Sequence, residues 1–175
     1  MSETPPRFQR NARGLVTALA AVLLLIVAVY GLTFLDRGAH PNPAPTVDYL
    51  SQVAEVQRAA PYTVVVPRPE PTGWRATSVD WGHPGNSLWW HVGFLTPKNE
   101  YVALEESDQN SAQFVARKVP GGHATGRVMV DGHQWRELAG SDGTTALVRR
   151  EPPATIVVVG SARLPQLELF AASLR

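Results

Sequence analysis

The chain has 175 residues, is 44% hydrophobic and carries a net charge of +1, a length that suits one ordinary domain with an appendage. It has no cysteine, which excludes a disulfide framework, thiolate metal ligands and a lipid-modified cysteine anchor. Arg7, Arg10 and Arg13 against Glu3 put +2 on the first thirteen residues, so the remainder stands at −1 and gives no electrostatic reason to expect nucleic acid or an anionic lipid surface as partner.

Residues 14–35 (GLVTALAAVLLLIVAVYGLTFL) run for 22 positions without a charge. As a helix they measure about 33 Å, enough to cross a hydrocarbon core of about 30 Å. Three arginines precede the run, while Asp36 and Arg37 cancel beyond it. The positive-inside rule then places the N-terminus in the cytoplasm and the rest outside, as a single-pass signal anchor in the cytoplasmic membrane. A cleaved signal peptide fits less well, because its apolar core is normally shorter and no A-x-A exit follows here. The expected organisation is a basic tail (1–13), a transmembrane anchor (14–35) whose partner is the lipid bilayer, a linker (36–45) with Pro41, Pro43 and Pro45, and an extracytoplasmic domain (46–175).

In that domain Thr46 reads as a helix N-cap, followed by apolar spacing at Val47, Leu50, Val53 and Ala54 up to Pro61. The β-branched run 62–66 reads as a strand, then 74–81, 88–95 and 101–105 as three more. Leu88, Trp90, Val92 and Phe94 alternate onto one face of their strand, leaving Trp89, His91 and Gly93 on the other. A short helix is expected between Ser107 and Val119 with Phe114 and Val115 as its contacts. Asp131-Gly132 reads as a two-residue hairpin turn between strands at 127–130 and 133–138. Strands at 144–149 and 155–159 follow, the last apolar on both faces and hence central. A closing helix starts at Pro165. Hairpin-linked strands interrupted by helices predict an α+β domain, an antiparallel β-sheet with helices packed on it.

Several stretches carry a resemblance: Val47-Asp48-Tyr49, the run Gly73 to Ser78 (GWRATS), Trp90 to Phe94 (WHVGF) with Thr96-Pro97, Tyr101 to Ser107, Trp135, Leu147-Val148-Arg149 and the closing Ala171 to Leu174. Together they resemble an actinobacterial family of membrane-anchored proteins, domain of unknown function 4245, over the whole chain. The family's pattern leads one to expect glutamine where this chain has Glu106. The resemblance implies no activity. The chain's ending is also similar, at the level of fold only, to exported sensor-like domains.

The residues offer little chemistry of their own. The five histidines (40, 83, 91, 123 and 133) lack the close spacing of a metal site, so no metal or other cofactor is expected. Ser78 and Asp80 with His83 and His91 are the nearest approach to a Ser/His/Asp set, but no G-x-S-x-G or S-x-x-K spacing marks a nucleophile. Glu105 and Glu106 point to opposite faces of a strand and read as its solvent-facing end. No catalytic residue is assigned. The enriched feature is the tryptophan group Trp74, Trp81, Trp89 and Trp90, which reads either as cross-strand packing or as an exposed patch. On the second reading Trp89, His91 and Arg75 contact a partner. The expected function is therefore a non-enzymatic interaction or sensor-like module at the cell envelope, with an envelope protein or glycan as partner and no nucleic acid. The alternatives are a lipid or small-molecule carrier and a hydrolase with an unfamiliar site.

Overall fold

The computed structural model describes residues 44–175, so the basic tail, the anchor at 14–35 and nearly all of the linker lie outside the described residues. Among the described residues no helix is long and apolar enough to cross a membrane. In chain order the elements are α1 (Leu50–Ala59), β1 (Arg75–Gly82), β2 (Trp89–Leu95), β3 (Tyr101–Ser107), α2 (Ser111–Lys118), β4 (His123–Val130), β5 (His133–Ala139), β6 (Thr145–Glu151), β7 (Ala154–Gly160) and α3 (Leu164–Ser173).

All seven strands form one antiparallel sheet in the order β1-β2-β3-β7-β6-β5-β4. Two meanders, β1–β3 and β4–β7, thus meet where β7 returns beside β3. The apolar run of β7 is buried along its whole length, as a central strand covered on both faces requires. Glycine is needed at its end, because a Cβ on Gly160 would collide with the backbone carbonyl of Tyr101. The hairpin between β4 and β5 turns through Asp131 and Gly132, both with positive φ (48° and 78°), the conformation for which that dipeptide is suited.

The segment 62–66 is not a strand of the sheet, contrary to its β-branched composition. Its amides are taken elsewhere. Val64 N–H donates to Gln57 Oε1, Val65 N–H to the carboxylate of Glu106, and Val66 pairs through both backbone groups with Arg175. The segment therefore lies across the sheet as a buried strap. The first helix also departs from expectation, beginning at Leu50 rather than just after Thr46. The Ser51 amide donates to Asp48 Oδ1, so Asp48 does the capping expected of Thr46.

The two faces of the sheet differ. One carries Trp90, Val92, Phe94, Leu104, Leu147, Ile156 and Val158, all buried, beneath α1, α3 and the strap. Phe170 of α3 stacks on Trp74 (5.4 Å, 16°) and meets Phe94 at 5.0 Å, where Tyr49 arrives edge-on at 5.4 Å. The opposite face has a smaller core, in which Phe114, Val115 and Val119 of and beside α2 cover Ala103, Ala146, Val157 and Val159. Glu105 and Glu106 do not face solvent. Both are buried, Glu106 completely, one under each layer.

Candidate functional site

The α2 face leaves β1 and β2 only partly covered, and polar side chains collect there. A β-bulge between Ala76 and Ser78 shifts the pairing of β1, so that Ser78 comes opposite Gly93. The extra residue reverses the alternation and turns Ser78 onto the face of His91 and Glu105. Gly93 has the room this requires, since a Cβ there would strike the Ser78 hydroxyl and the Tyr101 phenol. His91 lies opposite Glu105 in the β2–β3 register.

These residues form one chain of contacts. Ser78 Oγ lies 3.0 Å from His91 Nε2, and His91 Nδ1 lies 2.9 Å from Glu105 Oε1. The second oxygen of Glu105 is 2.7 Å from Lys118 Nζ at the end of α2. The Tyr101 phenol reaches the same Ser78; burial raises its pKa and the contact with Ser78 opposes the rise. The side chain of Glu105 is 7% exposed and that of His91 17%. A hydroxyl, an imidazole and a carboxylate in this order have the connectivity of a nucleophile, its base and the group that orients the base. They also act as a fastening, because Glu105 ties α2 to the middle of the β1–β3 meander through Lys118.

Trp89 stands beside this chain. Lys118 Nζ sits 5.3 Å from the centre of its ring and 5.9 Å from that of Phe114. Gly82 backs the indole, where a Cβ would come within 3.1 Å of Trp89 Nε1. The half-buried ring forms one wall of a groove of about 410 Å³ shared with Pro84, Gln109, Phe114, Arg117 and Lys118.

Of the residues expected to contact a partner, the structure brings Trp89 and His91 together and leaves Arg75 apart. Trp89 pairs with Gly82 and Arg75 with Leu95, at opposite ends of β1, and the Arg75 guanidinium donates to the Ala44 carbonyl. Asp80 and His83 stay outside the Ser78 contacts. Asp80 Oδ1 accepts from the Trp81 amide, and the His83 ring lies edge-on to Trp81 at 5.6 Å. The sequence reading missed Glu105, Tyr101 and Lys118. Counting outward through the 96–100 turn, with Leu95 opposite Tyr101, would have set Glu105 against His91. Among the described residues no group of three or more His, Asp or Glu side chains is placed to hold a metal ion.

The described residues form an antiparallel α+β domain, a seven-stranded sheet with three helices, and carry WRATS and WHVGF at its β1–β2 hairpin. The chain belongs to the family described as "Protein of unknown function (DUF4245)", whose model matches residues 7–174. No curated protein and no solved structure matches it.

Proposed function

We propose that this protein is a non-enzymatic interaction module, held at the cell envelope by a membrane anchor at residues 14–35, which docks a protein or glycan partner in the groove beside Trp89. The supporting observation is the contrast between neighbours on one strand. Trp90 is fully buried in the α1/α3 core, whereas Trp89 presents a partly exposed indole to a groove with two cationic walls, Arg117 and Lys118. Aromatic residues braced in a groove are the usual anchors of an interface. The carrier alternative has less support, because the space between the sheet and α1/α3 is filled by the protein's own aromatic and aliphatic side chains. The test is crosslinking in the native membrane with the wild-type chain and with Trp89→Ala. A species recovered by the first and lost with the second supports the reading. Equal recovery by both removes it. The anchor is tested separately: the chain should remain in the membrane through alkaline carbonate washing, and release of a shortened soluble form would point to a cleaved signal peptide.

One observation favours a second reading, hydrolysis by Ser78. The contacts of 3.0 Å and 2.9 Å run in the order a serine nucleophile needs. Against it, Lys118 competes with the imidazole for Glu105, and the Tyr101 phenol occupies the space beside Ser78. A fluorophosphonate probe decides between them. Labelling that Ser78→Ala and His91→Ala both abolish would establish the hydrolase and overturn the non-enzymatic reading.

A further inference from the structure

The far flank of the α2 face carries a different concentration of charge. Arg127 and Arg136 are direct partners across the β4–β5 hairpin, and Arg150 shares their face on β6, two residues beyond Val148, the partner of Arg136. All three are exposed. Like charges set opposite each other across strands destabilise a hairpin, so the arrangement works against folding. None of the three is in an ion pair among the described residues. Glu151, which lines the same groove, is already engaged by Arg149 at 3.2 Å and lies 3.7 Å from His133. Glu137, the next residue after Arg136, points to the other side of the sheet, where it fills the space above Gly126.

The three arginines border a groove of about 680 Å³ that also includes Ser111, Ala112 and His133. Ser111 and Ala112 are the first two residues of α2. Amides at that position have no partner within their own helix, and the helix dipole gives them positive character. The cap side chain Asn110 is turned to Gln113, whose amide it accepts at 3.2 Å, and so leaves them free of it. Guanidinium forks and a helix N-terminus facing one space suit the oxygens of a phosphate group. The volume lies within the usual range for a small-molecule site. We propose that this groove, separate from the one beside Trp89, binds a small soluble phosphorylated molecule. The near-neutral balance of the whole domain conceals the site, because among the groove's lining residues the one acid, Glu151, is outnumbered by four arginines.

The experiment measures binding of inorganic pyrophosphate to the full chain in a zwitterionic detergent, by calorimetry and by melting temperature. The wild-type chain is expected to bind, with affinity falling as salt rises. Arg136→Gln and Arg127→Gln are each expected to weaken binding about tenfold, the effect of losing one charge-assisted contact. Lys98→Gln, on the exposed turn between β2 and β3, should leave it unchanged. Both arginine variants should melt no lower than wild type, since each removes a like-charge pair. Four results would overturn the proposal: no binding; equal weakening by Lys98→Gln; a substantial loss of stability in either arginine variant, which would make the arginines structural; or binding confined to phosphatidylglycerol vesicles, which would assign the arginines to a lipid surface.

Discussion

The two faces of this sheet are built from the same strands by alternate residues, yet they are finished differently. Two ten-residue helices and the 62–66 strap close one face over large apolar side chains. A single eight-residue helix covers the middle of the other, leaving a polar chain on one flank and arginines on the opposite one. The closed face holds most of the buried apolar surface and so most of the stability. The half-open face holds the partly exposed Trp89 and the exposed Arg127, Arg136 and Arg150. A single-residue step along β2, from Trp90 to Trp89, passes from one to the other.

Substitutions on β2 should break this comparison most sharply. Trp90→Ala opens a cavity in the α1/α3 core and should cost about 3–5 kcal/mol, much of the stability of a domain this size. Denaturant titration would show it as an unfolded or barely folded chain. A well-folded Trp90→Ala domain would mean that the closed face is not where stability resides. Gly93→Ala tests the other face, because its Cβ must displace both the Ser78 hydroxyl and the Tyr101 phenol. Overpacking there should cost about 1–3 kcal/mol. If Gly93→Ala melts like wild type, the Ser78–Tyr101 contact is loose, and the bulge does not fix the geometry described for His91.

Glu106 and Arg149 are charged residues buried on the closed face, and Glu106 is covered completely, beneath the strap. Burial is the main reason that the Glu106 pKa is raised well above the usual carboxylate range, against the opposing effects of the Val65 amide and Arg149. The folded state then holds the proton to a higher pH than the unfolded state does. The sign follows: below the unfolded pKa of about 4.5 Glu106 costs nothing by ionising, and stability falls as pH rises from there toward the folded pKa. Glutamine retains an acceptor for the Val65 amide without the ionisation. The difference in stability between Glu106→Gln and wild type should therefore grow in favour of the variant as pH rises above about 4.5. Melting curves from pH 4 to 8 measure it, and a difference that stays constant with pH would show that Glu106 ionises normally.

Local signals carried much of this architecture. The β7 run, the Asp131-Gly132 turn and the Phe114–Val115 contacts each declare themselves within a few residues, and each stands where periodicity and turn chemistry put it. The strap at 62–66 was misread because its fate depends on Gln57, Glu106 and Arg175, partners that β-propensity does not register. The site was harder still. Ser78, His91 and Glu105 sit mid-strand with no spacing rule to join them, and the bulge before Ser78 reverses the alternation used to assign its face. The arginines were within reach, because the hairpin turn alone sets Arg127 against Arg136, but only once net charge is replaced by charge per face.

The smallest expected effect sharpens the comparison at its boundary. Trp89→Ala removes an indole that is only half buried, together with the cation–π contact of Lys118. Such a contact at a partly exposed site contributes about 0.5–1 kcal/mol. The melting temperature should therefore fall by only a few degrees, in contrast to the collapse expected for Trp90→Ala. Lys118 also pairs with Glu105, so its replacement alone cannot isolate the ring. A double-mutant cycle with Trp89→Ala and Lys118→Met can, because the Glu105 contribution is common to both arms and cancels. A coupling of about 0.5–1 kcal/mol would mean that Lys118 clamps the indole in its groove posture. A coupling near zero would mean that Lys118 does not hold the indole. If Trp89→Ala instead unfolds the domain as Trp90→Ala does, the indole belongs to the core, and the half-open face loses its anchor.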